Sequence, residues 1–272
     1  MRHQVKNIIR SSRILNIVPR IAVASQYYNH RYWQILKWSV SSKEDTNFTY
    51  PLTKRNLQTL YQLISVVTGR SYQDVEGLGN EVQDDEELKA HVIKKIQASD
   101  QRSVADLRCD LHKRIGWYIM ARITKPKVVI ETGIDKGLGA VTLCAALLRN
   151  KAEGFDGFYY GTDINPEAGY MLDGKYSSVG KILYGDSVNS LQQFDKQVDL
   201  FINDSDHSAE YEYREYETIF PKLSENAIIL GDNSHVTDEL LKFSMAKGKK
   251  YLFYKEEPLD HWYPGGGIGF CF

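Results

Sequence analysis

Two short apolar runs end on oxygen-bearing side chains: Phe201-Ile202-Asn203-Asp204-Ser205-Asp206-His207 and Ile228-Ile229-Leu230-Gly231-Asp232-Asn233. Buried parallel strands deliver ligands in this way, to the crevice at their carboxyl ends. A helical stretch separates the two runs, so Asp204, Asp232 and Asn233 can converge on one point. Three hard oxygen donors without a cysteine suit Mg²⁺ or a similar divalent cation rather than zinc. Two proton acceptors, Asp206 and His207, follow the first of them. Imidazole is matched to proton transfer near neutral pH, although a side chain at a helix start also serves as a cap.

Three earlier segments end on groups suited to a nucleoside-like ligand. The run Val128 to Glu131 leads into Glu131-Thr132-Gly133-Ile134-Asp135-Lys136-Gly137-Leu138-Gly139 and then a helix from Val141 to Arg149. Glycines at such a turn let the backbone approach a ligand and leave helix amides free, but they also occur where nothing binds. Asp135 stands where the second glycine of GxGxxG belongs, so phosphate cradling and nicotinamide chemistry are disfavoured. Asp163, at the tip of the next run, is placed either to accept from a ribose diol or to cap the following helix. Asp186 and Ser187 stand equally between an adenine edge and a helix cap. His235 belongs either to the site or to the start of the next helix, and His261-Trp262-Tyr263-Pro264-Gly265-Gly266-Gly267 reads as a substrate wall or as a plain hairpin loop.

In order, these pieces resemble class I S-adenosylmethionine-dependent methyltransferases, and more closely the divalent-metal-dependent O-methyltransferases, over residues 125–272. The resemblance implies that the turn with Glu131, Gly133 and Gly137 holds the methionine part of S-adenosylmethionine, that Asp163 binds the ribose, and that Asp186 and Ser187 grip the adenine. Asp204 would then border the cofactor as well as a metal. Val198–Asp204 and Ala227–Asn233 resemble the metal strands of the catechol O-methyltransferases, down to the Asp232-Asn233 pair. The Asp204-x-Asp206-His207 string resembles the macrocin-type sugar O-methyltransferases. The catechol enzymes carry a lysine three residues beyond the first metal aspartate, where this chain has His207. The sugar-modifying relatives usually carry Asp-Asp or Glu-Asp where this chain has Asp232-Asn233.

The function implied is O-methylation of a small-molecule or glycan hydroxyl, with Mg²⁺ on Asp204, Asp232 and Asn233 and with Asp206 or His207 as base. Three rivals stand beside it: a metal-independent methyltransferase of the same fold, a nicotinamide-dependent oxidoreductase, and a non-catalytic scaffold. The acceptor itself has no recognisable code in the sequence.

The elements that must position these groups alternate in type. Apolar runs at 128–131, 158–162, 181–184, 198–202, 227–230, 251–254 and 268–272, mostly separated by helical stretches, predict an α/β fold. We expect a doubly wound, seven-stranded, mostly parallel Rossmann-like sheet, closed by an antiparallel edge hairpin because Pro258 to Gly267 leaves no room for a helix. The helix after His207 is expected to bury Ala209, Tyr213, Tyr216, Phe220 and Leu223, with its glutamates outward. A helical N-terminal extension precedes the sheet. Its segments are Leu57 to Val67, an acidic start at Gln83 running to Lys95, and Val104 to Tyr118. The expected organisation is a basic arm at 1–50, a helical cap or subdomain at 51–124, and a catalytic domain at 125–272.

With 34 Lys+Arg against 35 Asp+Glu, the 272-residue chain is not built for nucleic acid. The balance is uneven, since Arg2, Lys6, Arg10, Arg13, Arg20, Arg31, Lys37 and Lys43 precede the first acid, Glu44. Such a basic, partly apolar arm suits a peripheral contact with an anionic membrane surface. Its aromatics Tyr27, Tyr28, Tyr32, Trp33 and Trp38 are expected in the core, or failing that against a partner subunit of a homo-oligomer or a sugar. Cys109, Cys144 and Cys271 are scattered, which fits a reducing compartment. The start lacks an apolar core for a signal peptide, and no run approaches the roughly 18 apolar residues of a membrane span, so a cytoplasmic protein is expected.

Overall fold

The computed structural model describes residues 12–272, so Arg2, Lys6 and Arg10 of the basic arm lie outside the described residues. Seven strands form one sheet: β1 (Val128–Thr132), β2 (Phe158–Asp163), β3 (Gly180–Tyr184), β4 (Val198–Asn203), β5 (Leu223–Asp232), β6 (Tyr251–Lys255) and β7 (Gly267–Cys271). Their order is β3-β2-β1-β4-β5-β7-β6, parallel except where β7 lies antiparallel between β5 and β6. The expected doubly wound sheet with an antiparallel edge hairpin is therefore present. β1 and β4 are buried throughout or nearly so, as strands covered on both faces must be.

Ten α-helices accompany the sheet among the described residues: α1 (Ile17–Ser25), α2 (Asn29–Ser41), α3 (Lys54–Thr68), α4 (Tyr72–Gln83), α5 (Glu86–Ala98), α6 (Arg114–Thr124), α7 (Leu138–Ala152), α8 (Ser187–Gln193), α9 (Ala209–Ile219) and α10 (Glu239–Ala246). The side chains of Thr53, Ser71 and Asp85 cap α3, α4 and α5 by accepting from the amides of Asn56, Asp74 and Leu88. α4 was not expected, because Gly77 and Gly79 weaken its helical signal.

The sheet carries a core on each face. On one face Leu60, Ile64, Val82, Leu88 and Trp117 pack with Val129, Leu200, Ile268 and Phe270. On the other, Leu191, Tyr216, Ile219, Leu240 and Phe243 cover Ile130, Phe201 and Ile229. Residues 51–124 thus form a layer of the same core as the sheet. Each fully buried side chain such as Leu60 or Ile64 contributes on the order of 2 kcal/mol to holding that layer in place.

Two local expectations need correction. The helix expected from Val104 begins only at Arg114. Asp106 accepts instead from Ser42 Oγ and the Lys43 amide, and His112 adopts φ +38°, a turn that no helix tolerates. In α9, Tyr213 is exposed, whereas Glu212 and Glu215 are buried beside Tyr216 and Ile219. The apolar spacing was misleading there because this helix faces a polar site rather than a plain core.

α1 and α2 also depart from the core packing expected of the arm. Tyr27, Tyr28, Tyr32 and Trp33 are exposed, and only Trp38 leans on the body, 5.3 Å from the Trp262 ring. Among the described residues, no helix is long and apolar enough to cross a membrane.

Candidate active site

The strand order reverses between β1 and β4, and the carboxyl ends of these strands open into a cleft of about 500 Å³. Gly133, Asp163, Asp186, Ser187 and Asp204 line it, together with Tyr211 from α9. Gly133 has φ +77°, and a Cβ there would overlap the Asp204 carbonyl oxygen. Only glycine lets the β1 turn lie this close to the end of β4. The Asp163 carboxylate ties this turn to β2 by accepting from the amides of Ile134 and Asp135 at 3.1 and 3.0 Å.

Asp186 is a helix cap and also lines the cleft. One oxygen caps α8 by accepting from the Asn189 amide at 2.8 Å, and the other accepts from Tyr211 Oη at 2.8 Å while the residue lines the cleft. Ser187 is held between Tyr211 and the buried Glu215. Glu131 and Gly137 do not line the cleft. Glu131 lies beneath it, accepting from Tyr159 Oη at 2.6 Å, and burial raises its pKa to about 7.

At one end the cleft meets a charged cluster. Lys113 Nζ donates to Asp232 Oδ2 at 2.7 Å and to Asn233 Oδ1 at 3.2 Å, and Arg114 lies 3.7 Å from Asp204 Oδ2. His207 Nε2 is 3.7 Å from Asp204 Oδ1 and 3.5 Å from Asn233 Nδ2, while its Nδ1 is 3.5 Å from Glu212 Oε1. Asp204, Asp232, Asn233 and His207 are thus together, as expected.

Asp206 is exposed, accepts from the Ser208 amide ahead of α9 through Oδ1, and lines the cleft beside Asp204. His235 is also exposed, with its ring 5.8 Å from Phe253.

Electrostatics separates the two buried aspartates. Burial, followed by the nearby Asp232 charge, pushes the Asp204 carboxyl well above the usual range. Burial, the largest influence, would raise Asp232 as well, but Lys113, Asp204 and Arg114 together outweigh it and hold this group below its ordinary value. Asp232 Oδ1 is buried with no hydrogen-bond partner.

Glu256 completes the frame, accepting from the Lys113 amide, Tyr50 Oη and the Gly266 amide at 2.8, 2.9 and 2.9 Å. A Cβ at Gly266 would collide with Asn233 Oδ1, so the glycine run belongs to the wall of the cluster. Sequence reasoning missed Lys113, Arg114, Glu256 and Tyr211. The visible signal for the first two was a basic string, His112-Lys113-Arg114, set directly before the apolar run of α6.

Residues 130–234 match the family model of a methyltransferase domain. Over that stretch the chain is similar to a methyltransferase domain. The methyltransferase domain so matched includes every cleft residue named above and both acidic strand ends, and it excludes Lys113, Arg114 and Glu256. Among solved structures, the chain is similar to a methyltransferase from Geobacter sulfurreducens, with 17% identity, a TM-score of 0.50, and coverage of 67% of this chain and 88% of that one. It is also similar to the O-methyltransferase TomG from Streptomyces achromogenes, described in complex with SAM, with 13% identity, a TM-score of 0.51, and coverage of 70% and 90%. At these identities the likeness concerns the fold. No curated protein sequence matches the chain.

Proposed function

We propose that the protein is an S-adenosylmethionine-dependent O-methyltransferase acting on a hydroxyl of a small molecule or sugar unit. The observation that carries this reading is the double position of Asp204, which lines the cleft and also belongs to the cluster with His207 and Asp232. A methyl donor in the cleft would thereby border the groups that can ionise an acceptor. TomG, an O-methyltransferase in complex with SAM, has the same fold and supports the donor assignment.

In this reading Asp163 accepts from the ribose diol, and Asp186, Ser187 and Tyr211 enclose the adenine end. His207 Nε2 takes the acceptor proton, and the Glu212 carboxylate, 3.5 Å from Nδ1, stabilises the imidazolium that forms. The acceptor oxygen then bonds to the methyl carbon as the carbon–sulfur bond breaks, releasing S-adenosylhomocysteine. Alignment of oxygen, carbon and sulfur supplies most of the acceleration.

The carboxylates fit a divalent cation. Ligand atoms of Asp204, His207 and Asp232 lie within 4.8 Å of one another, and the buried Asp232 Oδ1 is unpartnered. Asp204 and Asp232 would hold the ion, with Asn233 Oδ1 as a third donor once Lys113 withdraws from it. When bound, such an ion lowers the pKa of the acceptor hydroxyl.

A second, metal-free reading rests on Lys113 and Arg114, which already bring two buried positive charges to the same carboxylates. Release of S-adenosylhomocysteine from a panel of vicinal diols, with and without EDTA, separates the two. Loss of turnover in EDTA is expected from the first reading. Full retention would favour the second.

A further inference from the structure

α1 and α2 expose their apolar side chains instead of burying them. No residue of α1 is buried, and Val18 is 74% exposed. On α2 the half-buried residues Arg31, Gln34 and Trp38 mark one face, while Tyr32, Trp33, Leu36 and Val40 project from the rest, with Trp33 72% and Val40 78% exposed. Two helices with exposed apolar side chains, covered by nothing among the described residues, mark a docking site.

The charge chooses the occupant. From residue 12 to Lys43 the chain has no acid, and Arg13, Arg20, Lys37 and Lys43 are exposed. Aliphatic groups, interfacial Tyr and Trp rings and uncompensated cations together are the chemistry that an anionic bilayer surface recognises. A second copy fits less well, since a two-fold contact through this face would set like charges against each other. With 9 and 13 residues, the helices suit lying in the headgroup plane rather than crossing it.

We infer that α1 and α2 dock the protein on an anionic lipid surface. α2 is anchored to the body by Arg31 Nη1, which donates to the Trp262 carbonyl at 2.9 Å, and by the Trp38–Trp262 contact. Trp262 belongs to the glycine-rich segment that packs on Asn233, so α2 is attached beside one wall of the charged cluster with its exposed face turned outward.

The test is co-sedimentation of the full chain with phosphatidylcholine vesicles and with vesicles containing about 30% phosphatidylglycerol. Binding is expected to be at least about tenfold stronger to the anionic vesicles and to fall as salt is raised to about 0.5 M. The double variant Trp33→Glu/Leu36→Glu should lose it, with an unchanged melting profile because both side chains are exposed. Absence of binding by the parent would overturn the inference, as would undiminished binding by the double variant. A parent dimer that binds no vesicles and that the double variant turns into a monomer would assign the face to a contact between copies instead.

Discussion

At the scale of single residues, the proposed reading gives His207 and Asp206 separate tasks. His207 reaches Asp204, Asn233 and Glu212, whereas Asp206 accepts from the Ser208 amide ahead of α9. His207→Ala should lower kcat by about 10²- to 10³-fold and leave S-adenosylmethionine affinity within about twofold of the parent. Asp206→Asn should cost less than about threefold in kcat, because the amide oxygen can still accept from the Ser208 amide. Steady-state kinetics beside calorimetry checks both, and the reverse ranking would exchange the roles.

Lys113 neutralises a buried carboxylate, so Lys113→Met should lower stability by about 3–5 kcal/mol in urea unfolding, leaving Asp232 as an unpaired buried charge. Glu131 gives a signature in pH. Its pKa in the folded protein, about 7, lies above its ordinary 4.5, so its favourable contribution is complete below about 4.5 and is lost as pH rises toward 7. Glu131→Gln should therefore gain on the parent across that interval, by up to about 3 kcal/mol, with a flat difference on either side. A pH-independent difference would show that the group does not titrate there.

At the scale of elements, the site depends on two turns meeting. Gly133→Ala should abolish cofactor binding and cost about 1–3 kcal/mol, since the backbone conformation is left-handed and the Asp204 carbonyl blocks the methyl group. Binding as tight as the parent's would mean that the turns can separate without consequence. These turns were legible in the sequence because each strand is a short apolar run ending at oxygen-bearing side chains, and Asp204, Asp232, Asn233 and His207 indeed meet. What escaped was the part built from outside the strand–helix repeat. Lys113 and Arg114 enter from the segment that stops the expected helix at 104–118, where His112 takes a positive φ that periodicity cannot foresee. Glu212 and Glu215 read as a solvent face, yet α9 turns them inward, Glu212 onto Thr237 and beside His207, Glu215 onto Ser187, Asn203 and Ser205. Burial of charge is set by partners distant in the chain, and local spacing carries no trace of them.

At the scale of the whole molecule, the sheet places the cleft where its strand order reverses, and the N-terminal helices close the far side of the same core. Tyr50, Asn56 and Lys113 from this layer bind Glu256 and the residues around it, so the layer is part of the site's frame. α1 and α2 alone stand apart from that frame, with their apolar faces outward. The measurement that tests the functional reading most directly is calorimetric titration of the full chain with S-adenosylmethionine and, separately, with NAD. S-adenosylmethionine should bind with micromolar affinity and more tightly than NAD, and Asp163→Ala should weaken it at least about tenfold by removing the ribose acceptor and the tie to the β1 turn. Failure of S-adenosylmethionine to bind, or tighter binding of NAD, would contradict it.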